Sequence, residues 1–218
     1  MSLSIMGILY DFDGTIVKSD KFIRETYYEI CKEMGIKPSL SYRMLQRLHY
    51  DWKKFLRRQK IDPEKAEEAY KNKTDKIKVI PEVKKVLKYN KKHGKIQGIV
   101  THSPRSVVEE IARKNKIVEY IDGMITWDEI EERNLRPKPE PDALICLARD
   151  LNLETKKCLY VGNSKEDIIA GKRAGMLTLG FCCERDLRVI ARLRAANPYF
   201  GVITSPQHLY IYFQRLIF

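Results

Sequence analysis

Two aspartates lie two positions apart immediately after the first apolar segment of the chain. Residues 3–10 form a short apolar run typical of a buried strand, and Asp11-Phe12-Asp13-Gly14-Thr15 follows it directly. Because alternate side chains of an extended segment point the same way, both carboxylates are expected on one side of the strand end. One carboxylate of such a pair can attack as a nucleophile while the other transfers protons, and a divalent cation would offset their repulsion. The motif alone also fits an exposed turn resembling a calcium loop.

Three further polar clusters follow later predicted strands, the second of them after a loop of about ten residues. They are Thr101-His102-Ser103, the segment 136–142 with Lys138 between two prolines, and the segment 162–167. A strand-end hydroxyl can donate to a phosphate oxygen, and a Lys on a stiff backbone can hold one cation against it. Asn163 and Asp167 offer the hard oxygen ligands that Mg²⁺ prefers. Each cluster alone also fits an ordinary turn or helix cap, and His102 has no partner pattern typical of a nucleophile or base.

Strands alternate with helices through the chain after Gly94. The predicted strands are 96–100, 123–126, 157–161, 176–180 and 200–203, and the predicted helices are 106–116, 139–151, 165–174, 187–195 and one from about 205 onward. This alternation predicts an α/β fold with a doubly wound, mostly parallel sheet and helices on both faces. In such a fold ligands bind beyond the carboxyl ends of the strands, where all four polar clusters are expected to meet.

A block of about 75 residues with helical patterns and no strand pattern separates the first two strands. Ser19 or Asp20 can begin a helix that Gly35 ends, and further helical patterns cover 42–56, 63–77 and 81–92. The block is therefore predicted to be an all-helical domain inserted into the α/β domain. The predicted boundaries are 1–15 and 93–218 for the α/β catalytic domain and 16–92 for the helical cap.

The positive charge of the chain is concentrated in this inserted block. Residues 18–95 hold 23 Lys and Arg against 11 Asp and Glu, which accounts for the whole net charge of +12. This favours an anionic partner or substrate, although a solvated Lys-rich surface explains it equally well. Basic residues expected near the entrance of the inserted domain are Lys18, Lys21, Arg24, Arg43 and Arg47.

Composition excludes several classes of protein. With 44% hydrophobic and 32% charged residues, the chain is not disordered over most of its length, and no apolar run approaches the ~20 residues that cross a bilayer. The segment 3–10 is too short for a secretory signal, so a cytoplasmic protein is expected. Five scattered cysteines without a CxxC pair favour free thiols over a zinc site or a disulfide scaffold, with an intracellular disulfide left open.

The four motifs together resemble those of the haloacid dehalogenase-like hydrolase superfamily, in its phosphatase branch with a helical cap, which includes phosphoglycolate phosphatases. The matching elements are DxDGT at Asp11–Thr15, the strand-terminal Thr101, Lys138-Pro139-Glu140-Pro141, and Gly162–Asp167 with Ala174-Gly175 downstream. The resemblance implies a Rossmann-like core and Mg²⁺-dependent hydrolysis of a small phosphorylated metabolite through an aspartyl-phosphate. The second Asp of the first motif favours phosphate ester chemistry over carbon–halogen cleavage.

The resemblance also implies a role for each motif residue. Asp11 would be the nucleophile, Asp13 the general acid and base, and Thr101 and Lys138 the groups that hold the phosphoryl oxygens. Residues implied in phosphate binding are Asp11, Gly14, Thr15, Thr101, His102 and Lys138. Those implied in binding Mg²⁺ are Asp11, Asp13 through its carbonyl, Asn163 and Asp167.

Asn163 departs from the family pattern, which has Asp at this position. An amide oxygen can coordinate Mg²⁺ but brings no charge, so either weaker Mg²⁺ binding or loss of catalysis follows. Two other functions stay open: a phosphomutase of the same superfamily, and a protein that binds nucleic acid or another polyanion. The aromatic residues that would serve the polyanion alternative are Tyr42, Tyr50, Trp52 and Phe55. The sequence is compatible with either a monomer or a dimer.

Overall fold

Six parallel strands form the centre of the molecule. The structure is a computed structural model that describes residues 4–38, 52–183 and 186–216. The strands are β1 (Gly7–Tyr10), β2 (Ile96–Val100), β3 (Gly123–Ile125), β4 (Cys158–Gly162), β5 (Leu177–Phe181) and β6 (Val202–Ile203), in the order β3-β2-β1-β4-β5-β6. The α/β fold class and the parallel sheet predicted from the sequence are confirmed.

The register of the central strands brings their carboxyl ends level. Tyr10, the last residue of β1, pairs with Ile99 of β2 on one side and with Val161 of β4 on the other. The N–H of Asp11 then donates to the carbonyl of Val161 at 2.9 Å. The residues that follow β1, β2 and β4 therefore meet at one edge of the sheet, as expected for polar motifs that share a ligand.

Helices cover both faces of the sheet, which explains why its strands are apolar runs rather than alternating patterns. Ile8 and Tyr10 of β1 face one hydrophobic core and Leu9 faces the other. The helices on the Ile8 side are α4 (Pro81–Lys92), α5 (Arg105–Lys114) and α10 (Pro206–Leu216), and those on the Leu9 side are α7 (Asp142–Asp150) and α8 (Lys165–Arg173). Helix α9 (Leu187–Ala195) packs beside α8 in a smaller core.

Besides α4, the described part of the inserted block contains three α-helices. They are α1 (Asp20–Glu33), α2 (Trp52–Arg58) and α3 (Pro63–Lys71), followed by a 3₁₀ turn at Thr74–Lys76. Helix α1 ends before Gly35, whose positive φ of 64° suits glycine, and Asp62 caps α3 by accepting from the N–H of Glu64. Of the predicted helix 42–56, residues 42–51 lie outside the described residues.

Helix α4 packs against the sheet rather than against the inserted helices. Val83, Val86 and Leu87 join the core on the Ile8 side, and the side chain of Asn90 donates to the hydroxyl of Tyr10 at 2.8 Å. The domain boundaries predicted from the sequence remain a prediction. From these contacts we propose that the cap ends before α4.

One α-helix in the described part of the chain is not predicted from the sequence. The loop expected between β3 and Lys138 contains α6 (Trp127–Glu132), which begins with a capping box in which Thr126 and Glu129 satisfy each other's backbone N–H. Its Thr-x-x-Glu pattern was available in the sequence. The five cysteines, all of them among the described residues, form no disulfide. Within the described ranges, no helix has both the length and the apolar character to cross a membrane.

Candidate active site

The turn after β1 holds both motif aspartates out of solvent. Asp11 is 6% exposed and Asp13 is 8% exposed. Gly14 has a φ of 76°, and its N–H donates to the carbonyl of Val17 at 2.9 Å, which closes the turn. The hydroxyl of Thr15 donates to Oδ2 of Asp11 at 3.0 Å. The turn thus fixes one oxygen of Asp11 and leaves the other to a partner from elsewhere.

That partner is Lys138, whose ammonium group joins two aspartates from different motifs. Its Nζ lies 2.8 Å from Oδ1 of Asp11 and 2.7 Å from Oδ1 of Asp167. The same Nζ also donates to the hydroxyl of Tyr160 at 3.2 Å and to the carbonyl of Val100 at 3.3 Å. Lys138 is 6% exposed, so this ion pair network is buried. The first, third and fourth motifs are therefore in direct contact.

Asp167 is fixed by the start of α8. The hydroxyl of Ser164 lies 2.5 Å from Oδ2 of Asp167, and the N–H of Ser164 donates to the same oxygen at 3.0 Å. In return the N–H of Asp167 donates to the Ser164 hydroxyl at 3.1 Å, which completes a capping box. Gly162 permits this close approach, because a Cβ there would lie 2.3 Å from Cβ of Asp167.

Asp13 accepts hydrogen bonds from the second motif and from the cap. Oδ2 of Asp13 lies 2.5 Å from the hydroxyl of Ser103 and 3.3 Å from that of Thr101. The hydroxyl of Tyr70, on α3, donates to Oδ1 of Asp13 at 3.4 Å. Asp13 therefore lies where β1, β2 and the cap meet.

His102 contacts the backbone beside the lysine. Its Nε2 accepts the N–H of Lys138 at 3.2 Å, and its ring packs edge-on against Trp127 with centroids 5.6 Å apart. A ring nitrogen that accepts this N–H is not also a donor toward an anion. The structure thus places His102 where it positions Lys138.

Asn163 lies against the turn of the first motif. A Cβ on Gly14 would be 2.1 Å from Nδ2 of Asn163 and 2.8 Å from Oδ2 of Asp20, the first residue of α1. Both side chains therefore pack over the Gly14 backbone, and a side chain at position 14 would displace them. Asn163 is half-buried and faces the same cavity as Asp11.

The electrostatics of the cluster are dominated by burial. Burial raises the pKa of Asp11 to about 7; Lys138 opposes this rise, and Asp167 and Asp13 add to it. Burial also raises the pKa of Asp167, but Lys138 and the hydrogen bonds from Ser164 and Tyr160 bring it below its ordinary value. Burial lowers the pKa of Lys138, yet the two aspartates raise it well above the ordinary value. Lys138 is therefore charged, and one positive charge faces three carboxyl groups.

This excess of carboxyl groups over positive charge suits a divalent cation. Among the described residues, no group of three or more His, Cys, Asp or Glu side chains is arranged to hold a metal. The predicted ligand set differs from such a group, because it takes an amide from Asn163 and a backbone carbonyl from Asp13. Its donors are all oxygen, and its charge fits Mg²⁺.

Two residues of the site, Tyr160 and Tyr70, are not predicted from the sequence. Ser103 belongs to the second polar cluster but has no predicted role, although it stands two positions after Thr101. Tyr160 lies inside β4 and looks like an ordinary strand residue, although its hydroxyl donates to Asp167 at 3.0 Å. Tyr70 reaches Asp13 only because the cap folds over the sheet, so nothing local to its sequence indicates the contact.

The motif residues line one cavity of about 240 Å³ between the sheet and the cap. Predicted site residues on its wall are Asp11, Asp13, Gly14, Thr101, His102, Lys138, Asn163 and Asp167. Thr15 lies behind Asp11. Of the basic residues expected at the cap entrance, Arg24 lines the cavity, Lys18 and Lys21 do not, and Arg43 and Arg47 lie outside the described residues.

Several known proteins with similar sequences are named as phosphatases. The sequence model of the haloacid dehalogenase-like hydrolases matches residues 8–181. Phosphoglycolate phosphatase 1 of Pseudomonas aeruginosa is 25% identical over 193 residues, 80% of this chain and 70% of that protein. Pyrophosphatase PpaX of Bacillus cereus is 27% identical over 192 residues, 81% of this chain and 82% of that protein. A Pseudomonas putida protein named "Probable phosphoglycolate phosphatase" is 30% identical over 113 residues, which are less than half (43%) of its length.

Solved structures with the same fold cover nearly the whole chain. A hydrolase from Pseudomonas syringae has a TM-score of 0.79 at 19% identity, with 96% of this chain and 98% of that chain covered. A beta-phosphoglucomutase from Clostridium difficile has a TM-score of 0.77 at 15% identity, with 98% and 97% covered. At these identities the likeness shows a shared fold and carries no statement about the reaction.

Proposed function

This chain belongs to the haloacid dehalogenase-like hydrolases, and on that basis we propose that it is a Mg²⁺-dependent phosphatase that hydrolyses a small phosphate monoester. Its family, its α/β fold and its place among the phosphatases of that family agree with the prediction from the motifs. The observation that carries the proposed reaction is the Lys138 ammonium held between Asp11 and Asp167 on the wall of one cavity.

Asp11 is the proposed nucleophile. One of its carboxylate oxygens forms a bond to phosphorus while the bond from phosphorus to the leaving oxygen breaks, giving an aspartyl-phosphate and the alcohol. Lys138 reduces the repulsion between this carboxylate and the anionic phosphate, and Thr15 holds the other carboxylate oxygen. The arrangement favours attack in a fixed direction, because both oxygens of Asp11 have partners.

Asp13 is the proposed general acid and base. In the first step its carboxyl gives a proton to the leaving oxygen, and in the second it takes a proton from the water that attacks phosphorus and releases phosphate from Asp11. Its hydrogen bonds to Ser103 and Thr101 hold it at the cavity wall. Thr101, Lys138 and Gly14 are the proposed phosphate ligands, whereas Thr15, behind Asp11, and His102 are proposed as positioning residues.

The proposed metal ligands are Asp11, the carbonyl of Asp13, Asn163 and Asp167. Mg²⁺ bound there would supply positive charge against the nucleophile and the phosphoryl oxygens. The support in this chain is the excess of carboxyl groups over ammonium groups and the raised pKa of Asp11, which burial and its acidic neighbours bring to about 7. Phosphoglycolate and pyrophosphate are the substrates in the names of the relatives, and of these two only phosphoglycolate is a phosphate monoester.

The polyanion alternative loses part of its support. Trp52 is 9% exposed and Phe55 is 4% exposed, because both pack inside the cap, with the Phe55 ring 5.5 Å from that of Tyr27. Buried rings do not stack on nucleic-acid bases. Tyr42 and Tyr50 lie outside the described residues.

Hydrolysis of p-nitrophenyl phosphate with Mg²⁺ tests the proposal. We expect turnover by the native chain and a loss of roughly 10³-fold or more in Asp11→Asn, since the amide is not a nucleophile toward phosphorus. Asp150→Asn, at the exposed end of α7, is the matched control and should retain activity. Equal activity in Asp11→Asn would exclude the aspartyl-phosphate, and transfer of phosphate to a second position of a sugar phosphate would favour the mutase.

A further inference from the structure

The cavity has two chemically different walls. The wall formed by the strand ends carries the charged cluster around Asp11 and Lys138. The wall formed by the cap is mostly apolar and aromatic in its described part. The apolar or aromatic side chains on it are Ile23, Tyr27, Ile30, Trp52, Leu56, Ala66 and Tyr70.

The side chains of the apolar wall are buried and pack against other residues of the cap. Tyr27 is 2% exposed, Leu56 is 3% exposed and Ile30 is 6% exposed. The ring of Tyr27 packs on that of Phe55, which fixes the position of both helices α1 and α2 relative to the cavity. A group that enters this part of the cavity therefore meets mostly hydrocarbon, with a few polar atoms on Thr26, Tyr27, Trp52 and Tyr70.

Charged cap residues that line the cavity do not favour an anion. In the described part of the cap they are Asp20 and Glu67, both half-buried, and Arg24, which is exposed. Glu67 accepts a hydrogen bond from Ser106 at 3.0 Å and so stays at the wall. In the described part of the cap, one exposed cation thus stands beside two half-buried anions. Besides the motif residues, two basic and two acidic residues of the α/β domain also line the cavity, namely Lys165, Arg192, Glu166 and Asp186, and their charges balance.

The positive charge of the cap lies elsewhere in its described part. The side chain of Lys21 is 72% exposed and lies 3.6 Å from Glu25, and Lys73 lies 2.5 Å from Glu29 on the cap surface. Lys53 lies 2.5 Å from Glu131 of the α/β domain. In the described part of the inserted block, the basic composition therefore says little about the substrate.

We propose that the substrate is the phosphate monoester of an apolar, uncharged alcohol with an aromatic or branched aliphatic group, and not one with a second anion. The inference rests on the proposed function and names its substrate class. An apolar group gains free energy on leaving water for this wall, whereas a carboxylate or second phosphate would lose its hydration beside Asp20 and Glu67. Glycolate as the leaving group carries such a carboxylate, and pyrophosphate carries a second phosphate.

Binding of two phosphonates, which are not hydrolysed, tests this without turnover. Calorimetry in the presence of Mg²⁺ compares benzylphosphonate, with a neutral ring, with phosphonoacetate, with a carboxylate. We expect benzylphosphonate to bind at least tenfold more tightly. Equal binding, or tighter binding of phosphonoacetate, would overturn the inference.

Two variants at one position show whether the apolar wall causes the difference in affinity between the two phosphonates. Leu56→Ala should weaken benzylphosphonate about fivefold or more and leave phosphonoacetate unchanged, and Leu56→Met, which conserves volume, should retain most of the affinity. Lys21→Ala, outside the cavity, is the control and should change neither. Equal weakening of both ligands by Leu56→Ala would mean that Leu56 only supports the fold, and would overturn the inference.

The inference and the proposed function fail separately. Selective binding of benzylphosphonate without hydrolysis of any monoester would overturn the phosphatase reaction and keep the apolar ligand class. Hydrolysis that depends on Asp11, with phosphoglycolate or pyrophosphate preferred over benzyl phosphate in kcat/KM, would keep the phosphatase reaction and overturn the apolar substrate class.

Discussion

Asp11 is a buried carboxyl group whose surroundings oppose its charge. Burial is the largest influence on its pKa, and the ion pair with Lys138 does not fully compensate, since Asp167 shares the same ammonium group. The pKa of about 7 against an ordinary value of 3.8 means that the folded protein holds this proton more tightly than the unfolded chain. Without a cation, ionising Asp11 therefore destabilises the fold.

The pH dependence of stability follows from this difference. Between pH 4 and pH 7 the folded form binds more protons, so the free energy of unfolding of the metal-free protein should fall with rising pH and level off above pH 7. Asp11→Asn removes this fall, so its stability relative to the native chain should rise by about 3 kcal/mol from pH 4.5 to pH 8. Urea unfolding in EDTA at both pH values measures it, with Asp150→Asn as control. A stability difference between variant and native chain that is the same at both pH values would contradict this account.

Asn163 lies where the family has an acidic residue, so this chain has one negative charge fewer near the proposed metal. Asn163→Asp should lower the Mg²⁺ concentration needed for half-maximal activity by roughly tenfold, because affinity for a hard cation grows with ligand charge. Asn152→Asp, in an exposed turn, adds the same charge away from the cavity and is the matched control. An unchanged Mg²⁺ requirement in Asn163→Asp would show that this side chain is not a ligand.

The motif residues could be predicted from the sequence because each follows a strand directly or after one connection. Asp11, Thr101 and Asp167 meet because the strand ends are level, which the alternation of strands and helices already implied. Tyr160 could not be recognised, since a tyrosine within an apolar strand has no pattern that distinguishes a hydrogen-bonding role from packing. The contact of Tyr70 with Asp13 depends on the position of the whole cap, so no local pattern in the sequence predicts it.

The elements with clear boundaries in the sequence were predicted best. Helix α4 begins at Pro81 and ends before Gly94, and its range agrees with the prediction because proline at the first position and glycine after the end are strong local preferences. What the sequence did not reveal is the domain that α4 packs on. Amphipathic helices of the cap and of the α/β domain have the same pattern, so only contacts distinguish them.

A buried hydrogen-bond network ties α4 to the sheet. Asn90 donates to the hydroxyl of Tyr10, which in turn donates to Gln97 at 3.1 Å, and the amide of Gln97 donates to the carbonyl of Leu87 at 2.8 Å. Asn90 and Gln97 are fully buried. The network joins α4, β1 and β2, so it belongs to the α/β domain.

Removal of this amide should destabilise the fold. Asn90→Ala leaves the Tyr10 hydroxyl with one partner fewer in a buried place, and we expect the free energy of unfolding to fall by about 1–3 kcal/mol. Asn72→Ala, at the exposed end of α3, should change it by less than about 0.5 kcal/mol. Urea unfolding measures both variants. A fall of the same size in Asn72→Ala would mean that the loss of stability does not come from breaking the hydrogen-bond network.

At the scale of the whole molecule, several contacts among the described residues join the cap to the α/β domain. The segments that enter and leave the cap run side by side, with the N–H of Lys18 donating to the carbonyl of Lys78 at 3.0 Å and that of Ile80 to Ile16 at 2.9 Å. Across the cavity, Tyr70 contacts Asp13 and Glu67 contacts Ser106. A paired connection with polar contacts opposite it suits a cap that closes over substrate.

The ion pair between Lys53 of α2 and Glu131 of α6 tests whether such contacts hold the cap closed. The Lys53 side chain is 24% exposed and that of Glu131 is 46% exposed, so the pair should add less than about 1 kcal/mol to stability. If it favours the closed cap, Lys53→Ala should raise KM for p-nitrophenyl phosphate about two- to fivefold with kcat unchanged, because a smaller fraction of molecules is ready to bind. Arg57→Ala, exposed on the same helix, removes an equal charge and should leave KM unchanged.

The double variant of Lys53→Ala with Glu131→Gln should show no further rise in KM, because Lys53→Ala has already broken the ion pair. The difference in KM between Lys53→Ala and the native chain should also shrink in high salt. Additive effects of the two substitutions, or an equal rise of KM in Arg57→Ala, would assign the change to charge near the cavity rather than to this contact between the domains.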